Sequence, residues 1–434
     1  MRRTFLFLST LALAAAAGSA QSQSPKTLDM YFIDVEGGHS TLYVSPTGET
    51  LLIDTGNPGG RDAGRIMEVI QAAGVKKIDH LIITHYHVDH IGGLQEIASK
   101  IPIDHFYDHG ASIEPNEQVA GFQKMYAELW AKAKHTVAKP GDKIPLGAVT
   151  VTVVTSNGDS IKTPLPGGGK PNPACADFKP RDEAQVQAEN RMSVGVVIDY
   201  GRFRHVNLGD FTYNKEPELM CPNNPIGKVD LYLTSHHGID QSGSAALVHG
   251  LQPRVAIMHN STGKGGAVPT MQVLHTSPGL EDIWQLHWAS AAGLELNTPS
   301  LFIANVDDNA TMANLLLAPP RTFGMGRGPG GPGAGGPPPN VPAAAQATPT
   351  GAPNAPAAAP SAPASAQAAP TGAPNAPIGG PNPPGQGGRG GGAGGGRGGH
   401  TGQAYWIKVS AQADGTFSVT NTRNNFTKTY AARN

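Results

Sequence analysis

The chain has few aromatic residues and few cysteines for its length. Of 434 residues, 6% are Phe, Trp or Tyr and two are Cys. Two cysteines are too few for a small scaffold held by several disulfides. The sequence also lacks a Gly-x-Ser-x-Gly elbow, which excludes a serine nucleophile of that type. What remains is long enough for one large α/β domain with a sizeable core.

The shortage of aromatic residues is greatest near the C-terminus. Within residues 319–400, Phe323 is the only aromatic, and 42 residues are Gly or Pro. Such a segment buries too little apolar surface to offset the entropy of ordering it. The composition therefore predicts a disordered Gly/Pro/Ala-rich insertion over residues 319–402.

The chain also has no excess of positive charge. Its formal net charge is −1, and six Arg lie near the start or in the Gly/Pro-rich segment, so the remainder has a net charge near −7. An acidic surface argues against a broad basic footprint for nucleic acid, although a local patch stays open.

Residues 1–20 have the pattern of a secretory signal peptide. Arg2 and Arg3 precede an apolar run over residues 4–17, and Gly18-Ser19-Ala20 resembles a cleavage site. The run is too short to span a membrane, and no later segment is apolar enough to do so. We expect a periplasmic or secreted protein, in which Cys175 and Cys221 form a disulfide or stay as two free thiols.

Strand-like and helical patterns alternate over residues 25–318, which predicts one mixed α/β domain with its strands in two groups, as in a layered sandwich. Residues 403–434 contain a predicted β-hairpin that completes this domain. Its strands are Tyr405–Val409 and Thr416–Thr420, and Ser300–Val306 offers a strand for it to join.

A cluster of metal-binding residue types follows the predicted buried strand at residues 81–83. His85, His87, Asp89 and His90 occur within six residues. The carboxyl end of a strand is where α/β sheets carry their chemistry, and imidazole with carboxylate suits Zn²⁺ or a similar ion.

Further acidic and histidine residues follow other predicted strands in the same way. Asp54 follows Leu51–Ile53, Asp210 follows Val206–Leu208, and a His-His pair follows Leu231–Leu233. This recurrence at strand ends supports one shared site.

With these motifs, the sequence resembles the metallo-β-lactamase fold superfamily, whose hallmark is the HxHxDH loop at residues 85–90. The Asp-Val-Glu-Gly-Gly-His opening at 34–39, Leu-Gly-Asp at 208–210 and Ser-His-His-Gly at 235–238 are most similar to the branch that contains the hydrolase domain of the competence protein ComEC. The resemblance implies a four-layer αββα sandwich with a dinuclear metal site.

The resemblance also implies roles for individual residues. His85 and His87 would bind the first ion, and Asp89 and His90 the second. Asp210 would bridge the two ions. His236 would complete the second site, with His237 as an alternative that the spacing leaves open. Asp54 would support the metal loop without binding metal.

One ligand departs from the pattern, because Glu189 or Asn190 stands where most members of the superfamily have a histidine. Glu189 is a weak candidate ligand, and Asn190 a candidate supporting residue. An oxygen ligand here raises Mn²⁺ relative to Zn²⁺, although Zn²⁺ remains the expected ion.

Two such ions can activate a bridging hydroxide and polarise the bond to be cleaved. Asp210 would set the metal spacing, and Asp89 would orient the attacking water or accept its proton. Residues that could face the substrate are found near predicted strand ends and turns; they are His39, His109, His259, Asn260 and Lys264.

These features predict an exported metal-dependent hydrolase that acts on a phosphodiester, ester, lactone or lactam. The alternative is a non-catalytic exported metal-binding or cell-envelope protein on the same scaffold. The sequence does not indicate the oligomeric state.

Overall fold

The computed structural model describes residues 26–306 and 402–433, apart from residues 115, 184 and 185. The predicted signal peptide and almost all of the predicted insertion lie outside the described residues. In the described part of the chain, no helix has both the length and the hydropathy to cross a membrane.

The described residues form twenty strands. In chain order they are β1 (Leu28–Phe32), β2 (Thr41–Val44), β3 (Thr50–Ile53), β4 (His80–Ile82), β5 (His105–Asp108), β6 (Lys134–Val137), β7 (Lys143–Leu146), β8 (Val149–Ser156), β9 (Asp159–Ser160), β10 (Lys170–Pro171), β11 (Gly195–Tyr200), β12 (Phe203–Asn207), β13 (Asn223–Asn224), β14 (Leu231–Leu233), β15 (Val255–Met258), β16 (Asp282–His287), β17 (Ile303–Asn305), β18 (Ile407–Ala411), β19 (Phe417–Asn421) and β20 (Phe426–Tyr430).

Eight α-helices accompany the strands in the described residues. They are α1 (Arg61–Ala72), α2 (Val88–Ile91), α3 (Leu94–Ala98), α4 (Glu117–Trp130), α5 (Glu216–Met220), α6 (Ala245–Leu251), α7 (Val268–His275) and α8 (Gly293–Leu296). The apolar residues of α1 recur at helical spacing and form its buried face, as the sequence predicts.

Most strands belong to two large sheets. The first has the order β20-β19-β18-β1-β2-β3-β4-β5-β6, and the second has the order β17-β16-β15-β14-β12-β11-β8-β7. In the first sheet β1, β2 and β3 form an antiparallel meander, and β3 to β6 are parallel. In the second sheet β12 and β14 to β17 are parallel.

The core is divided into three apolar layers. The central layer lies between the sheets and includes Phe32, Leu231 and Trp284. An outer layer packs helix residues such as Ile66 against the first sheet. The other outer layer packs helix residues such as Leu247 against the second sheet. Helices thus cover both outer faces, which confirms the αββα sandwich.

The C-terminal strands join the first sheet. β18 is antiparallel to β1, with Phe32 opposite Ile407, and β18 and β19 form a hairpin. The expectation that residues 300–306 provide the hairpin's partner is wrong, because β17 is parallel to β16 in the second sheet. The alternation of β18 determines its buried face: Ile407, Val409 and Ala411 all enter the layer between the sheets.

The two cysteines are joined by a disulfide, with a sulfur–sulfur distance of 1.97 Å. The bond connects Cys175, in the long loop between β9 and β11, to Cys221 at the end of α5. Of the two states that the sequence leaves open, the structure has the bridge.

Candidate metal centre

The metal loop begins directly after β4 and runs into α2, the short helix that contains Asp89 and His90. This backbone course brings the side chains of one short segment together. His85 Nε2 and His87 Nδ1 are 3.0 Å apart, and the rings of His85 and His90 have centroids 4.0 Å apart. The loop therefore supplies histidine nitrogens to two adjacent positions.

Four side chains surround the position that we call the second metal position: Asp89, His90, Asp210 and His237. Asp89 Oδ2 lies 3.3 Å from His237 Nε2 and 3.7 Å from His90 Nε2. Those two nitrogens are 3.3 Å apart. Asp210 Oδ2 lies 3.3 Å from His90 Nε2 and 3.4 Å from His237 Nε2. Tetrahedral ligands about 2.0–2.1 Å from a Zn²⁺ ion are about 3.3–3.4 Å apart, so these donors fit such an ion.

This arrangement corrects the assignment within the His-His pair. His237, the alternative, contacts Asp89 and His90, whereas His236 does not complete the second position. The reason is the backbone, since both residues adopt left-handed conformations, with φ of 52° for His236 and 56° for His237. Successive residues in this conformation project in directions that strand periodicity does not predict. Such strain in non-glycine residues is typical of functional sites.

The first metal position is bounded by His85 and His87. Asp210 Oδ2 is 3.9 Å from His85 Nε2, so the Asp210 carboxylate lies beside both positions. His87 is oriented by Glu114, whose Oε2 lies 3.3 Å from His87 Nε2. This contact leaves His87 Nδ1 toward His85.

Glu189 does not serve as the weak ligand that the sequence suggests. Its Oε1 lies 2.7 Å from His109 Nε2, and its Oε2 accepts hydrogen bonds from Ser112 Oγ at 2.7 Å and Ile113 N at 3.1 Å. These partners use the carboxylate, so Glu189 anchors the loop after β5. The neighbouring Asn190 is 1% exposed, and its Nδ2 lies 3.4 Å from His236 Nε2.

The charge states of the centre favour a bound cation. Burial acts to raise the pKa of Asp210, but the imidazoles of His236, His90 and His237 hold it well below its usual range. Burial likewise opposes ionisation of Asp89, yet Lys264 and His90 hold its pKa well below normal. Both groups are therefore carboxylates at neutral pH.

The histidines of the centre differ in the direction of their pKa shifts. Burial, with His90 and His87 nearby, keeps the pKa of His85 well below normal, and burial lowers that of His236 to about 3, so both rings are neutral. Burial would lower the pKa of His90 too, but Asp210, Asp54 and Asp89 together raise it well above its usual value. His85 and His236 are thus in the neutral form that binds divalent metals, and the carboxylates around His90 attract positive charge to that place.

Asp54 supports the loop from behind. Its Oδ2 lies 2.7 Å from His90 Nδ1 and 2.8 Å from His39 Nδ1, and its Oδ1 accepts a hydrogen bond from Thr84 N at 2.7 Å. When His90 Nδ1–H donates to Asp54, the lone pair of Nε2 faces the second position. A carboxylate in this place orients the ligand and increases its basicity.

Four of the predicted substrate-facing residues are buried: His39, His109, His259 and Asn260 are each at most 4% exposed. Neither ring nitrogen of His259 has a hydrogen-bond partner among the described residues, whereas the other three bind protein groups. His109 binds Glu189, and Asn260 Nδ2 donates to the carbonyl of His287 at 2.7 Å. Residues that directly follow a parallel strand of this sandwich can therefore be buried, as His109 and His259 are.

Lys264 differs from these four residues. Its side chain is 36% exposed, and its Nζ lies 2.5 Å from Asp89 Oδ2. Gly37 leaves room for the lysine stem, because a Cβ at this glycine would lie 3.3 Å from Lys264 Cβ and Cδ. Lys264 thus brings a cation to the solvent side of the second position.

The sequence analysis missed Glu114, which touches both His87 and the backbone of Glu189. Glu114 follows β5, so its position after a strand could have identified it as a candidate. The apolar pattern of the sequence does not indicate β5, however. A further acidic group with a histidine, formed by Asp34, Glu36 and His287, could also hold a cation. However, the guanidinium of Arg65 already lies 2.9 Å from Asp34 and 3.3 Å from Glu36.

Comparisons with known proteins agree with this geometry. Residues 33–169 match the family model of the metallo-beta-lactamase superfamily. Ribonuclease Z of Methanopyrus kandleri is 30% identical over 120 residues, which are 27% of this chain and 39% of that protein. A coenzyme oxidase of Methanothermobacter marburgensis is 30% identical over 116 residues, or 26% of this chain and 25% of that protein. The chain thus spans well under half the length of either relative.

Among solved structures, the metallo-beta-lactamase fold protein YhfI of Bacillus subtilis has a TM-score of 0.37 and 15% identity, covering 59% of this chain and 96% of its own. A diphosphatase of the PhnP family has a TM-score of 0.33 and 14% identity, covering 58% of this chain and 93% of its own. The family match includes the whole loop from His85 to His90 and supports the metallo-beta-lactamase superfamily, while the ComEC-like branch stays a prediction.

Proposed function

We propose that the protein is a metal-dependent hydrolase that cleaves an ester-type bond in a phosphodiester, ester, lactone or lactam. The observation that supports this most strongly is the convergence of His90 and His237 on one carboxylate oxygen of Asp210, with Asp89 beside both histidines, at the spacing of metal ligands. The expected cofactors are two divalent ions, Zn²⁺ first and Mn²⁺ second. Bound ions supply Lewis-acid activation of water and of the bond to be cleaved.

The two aspartates differ in their access to solvent. The Asp89 side chain is 18% exposed, and that of Asp210 is 5% exposed. We assign Asp210 to holding the two metal positions together. Asp89 is the ionised carboxylate nearer to solvent, so we assign it to orienting the attacking water or taking up its proton.

Lys264 supports an anionic group on the substrate. Its ammonium lies beside the second position, in contact with Asp89 Oδ2, and its side chain is 36% exposed, so it adds positive charge that attracts an anionic group. This favours a phosphodiester or a carboxylate-bearing substrate over a neutral ester. A fold alone does not choose among these chemistries.

We further propose that the protein is exported to the periplasm or secreted. The disulfide between Cys175 and Cys221 supports an oxidising compartment. A non-catalytic metal-binding or cell-envelope role is the competing proposal. It predicts gradual loss of ligands, yet this chain has the hallmark loop as well as Asp210 and His237.

The test is hydrolysis by metal-quantified protein of bis-p-nitrophenyl phosphate, a lactone and a cephalosporin. We expect turnover of at least one class, lost in Asp89→Ala. Asp104→Ala is the matched control, because Asp104 lies at the opposite, amino end of β5, where it pairs with Lys77. Tightly bound metal without turnover of any class would favour the non-catalytic alternative.

A further inference from the structure

His236 is a buried histidine that the second metal position does not use. It is 6% exposed, and its Nε2 lies 3.3 Å from Asp210 Oδ2. The second position already has four donors. The first position has only His85, His87 and the shared Asp210, because Glu189 is bound by His109 and Ser112. Among the described residues, the first position therefore lacks a fourth donor, and His236 is a histidine beside Asp210 that has not been assigned to either position.

The hydrogen bonds of His236 indicate which nitrogen is available. Its Nδ1 lies 3.4 Å from Ser242 Oγ, and the Ser242 hydroxyl donates its hydrogen to the carbonyl of Phe211 at 2.7 Å. Ser242 can therefore only accept from His236, so Nδ1 carries the hydrogen. In the neutral ring Nε2 then carries the lone pair, 3.3 Å from the carboxylate of Asp210 and 3.4 Å from the amide nitrogen of Asn190. A cation bound between Nε2 and the carboxylate would relieve the repulsion between their lone pairs.

The surroundings of Asn190 support the same conclusion. Asn190 lies beside His236 at the place where the sequence lacks the histidine of the superfamily pattern. Within the described part of the chain, its Oδ1 is buried and has no hydrogen-bond partner. A buried oxygen without a partner is costly, and an ion bound nearby can satisfy it.

We propose that His236 is a ligand of the first metal position, where it replaces the missing histidine. The tandem pair is then divided, with His236 at the first position and His237 at the second. Seven side chains thereby provide four ligands to each position, with Asp210 shared. This inference rests on the metal centre of the proposed function, although it does not depend on which bond the enzyme cleaves.

The test measures cobalt binding to full-length protein freed of metal, by equilibrium dialysis and by the visible absorption of bound Co²⁺. We expect two equivalents per chain in the wild type and one in His236→Ala. His87→Ala/His236→Ala should retain one equivalent, because both changes affect the first position. His236→Ala/His237→Ala should retain none. His249→Ala, at a half-buried histidine on α6 that lies 3.0 Å from the carbonyl of Val273, is the control and should retain two.

Circular dichroism verifies that each variant folds. If His236→Ala does not fold, His236→Gln is used in its place. Two equivalents in a folded His236 variant would overturn the inference and leave the proposed function standing. So would loss of both equivalents in His87→Ala/His236→Ala together with retention of one in His236→Ala/His237→Ala. A wild type that binds no cobalt would instead contradict the metal centre itself.

Discussion

The two halves of the metal centre are built in different ways. His85, His87, Asp89 and His90 come from one loop after β4, within six residues. The other half comes from separate strand ends, with Asp210 after β12 and the His236–His237 pair after β14. The local half follows from spacing alone. The dispersed half depends on the backbone conformation at the ends of two strands of the second sheet. There the structure places His237, and not His236, at the second metal position.

The largest effect is expected from removing Asp210, the residue that joins the two halves of the metal centre. Asp210→Ala should lose both metal equivalents, because Asp210 Oδ2 lies beside His85, His90, His236 and His237. Activity should fall by more than the roughly 100-fold that the loss of an outer support costs. Elemental analysis of dialysed protein measures the metal. Asp199→Ala, which removes a carboxylate paired with Arg204, should retain both equivalents. Full metal content in Asp210→Ala would refute the shared role of this residue.

A smaller effect is expected from the carboxylate behind the local half. Asp54→Asn should weaken metal binding by about 10–100-fold, because it disturbs the contacts to His90 and His39. Competition with a chelating dye measures this affinity. Asp62→Asn is the matched control, since Asp62 is equally buried but accepts hydrogen bonds from Asn57. Equal metal affinity in Asp54→Asn and the wild type would contradict the supporting role.

Glu216 is a buried carboxylate outside the metal centre, and its pKa shifts in the direction opposite to those of Asp89 and Asp210. Burial raises the pKa of Glu216 to about 8, even though Gly243 and Ser244 donate backbone hydrogen bonds to it. The folded state therefore holds this proton more strongly than the unfolded state does. The stabilising effect is full below about pH 4.5 and is lost as pH rises toward 8, by up to about 1.4 kcal/mol per pH unit.

Glu216→Gln should flatten this dependence of the unfolding free energy on pH. Urea denaturation between pH 5 and 8.5 measures it. Glu218→Gln, on the same helix but 56% exposed, should keep the slope of the wild type. An unchanged slope in Glu216→Gln would show that its two backbone donors outweigh burial.

The smallest change tests the correction at Glu189. Glu189→Gln should leave the metal stoichiometry unchanged and lower the free energy of unfolding by about 1–3 kcal/mol, because a buried hydrogen-bond acceptor of His109 and Ser112 is replaced. Chemical denaturation and metal analysis on the same sample measure both quantities. Loss of one metal equivalent at unchanged stability would restore Glu189 as a ligand.

The same contrast explains what the sequence could predict. The meander β1 to β3 and the helix α1 follow from alternation, helical spacing and turn residues, whereas the αββα order of the layers is implied by the resemblance to the superfamily. β5 and β6 were missed because their inward faces carry polar residues such as His105 and Thr136, which bond each other at 2.8 Å. β17 was joined to the wrong sheet because pairing partners are set by the packed core, not by local propensity.

Within the site, residue types at strand ends indicated the metal centre, but not the direction of each side chain. The order within the His-His pair depends on two left-handed residues, and the role of Glu189 depends on partners from the loop after β5. Both depend on contacts between residues that are far apart in the sequence, which local patterns do not predict. Burial of His39, His109, His259 and Asn260 has the same origin, since strand ends in this sandwich point inward as well as toward solvent.

The most direct test of the two-position metal centre is the metal-to-protein ratio of the wild-type chain. Isothermal titration calorimetry, in which Zn²⁺ is added to metal-free protein, measures this ratio. Seven side chains, with Asp210 shared between the two positions, predict two Zn²⁺ per chain. A ratio of one, or no saturable binding, would contradict the two-position centre.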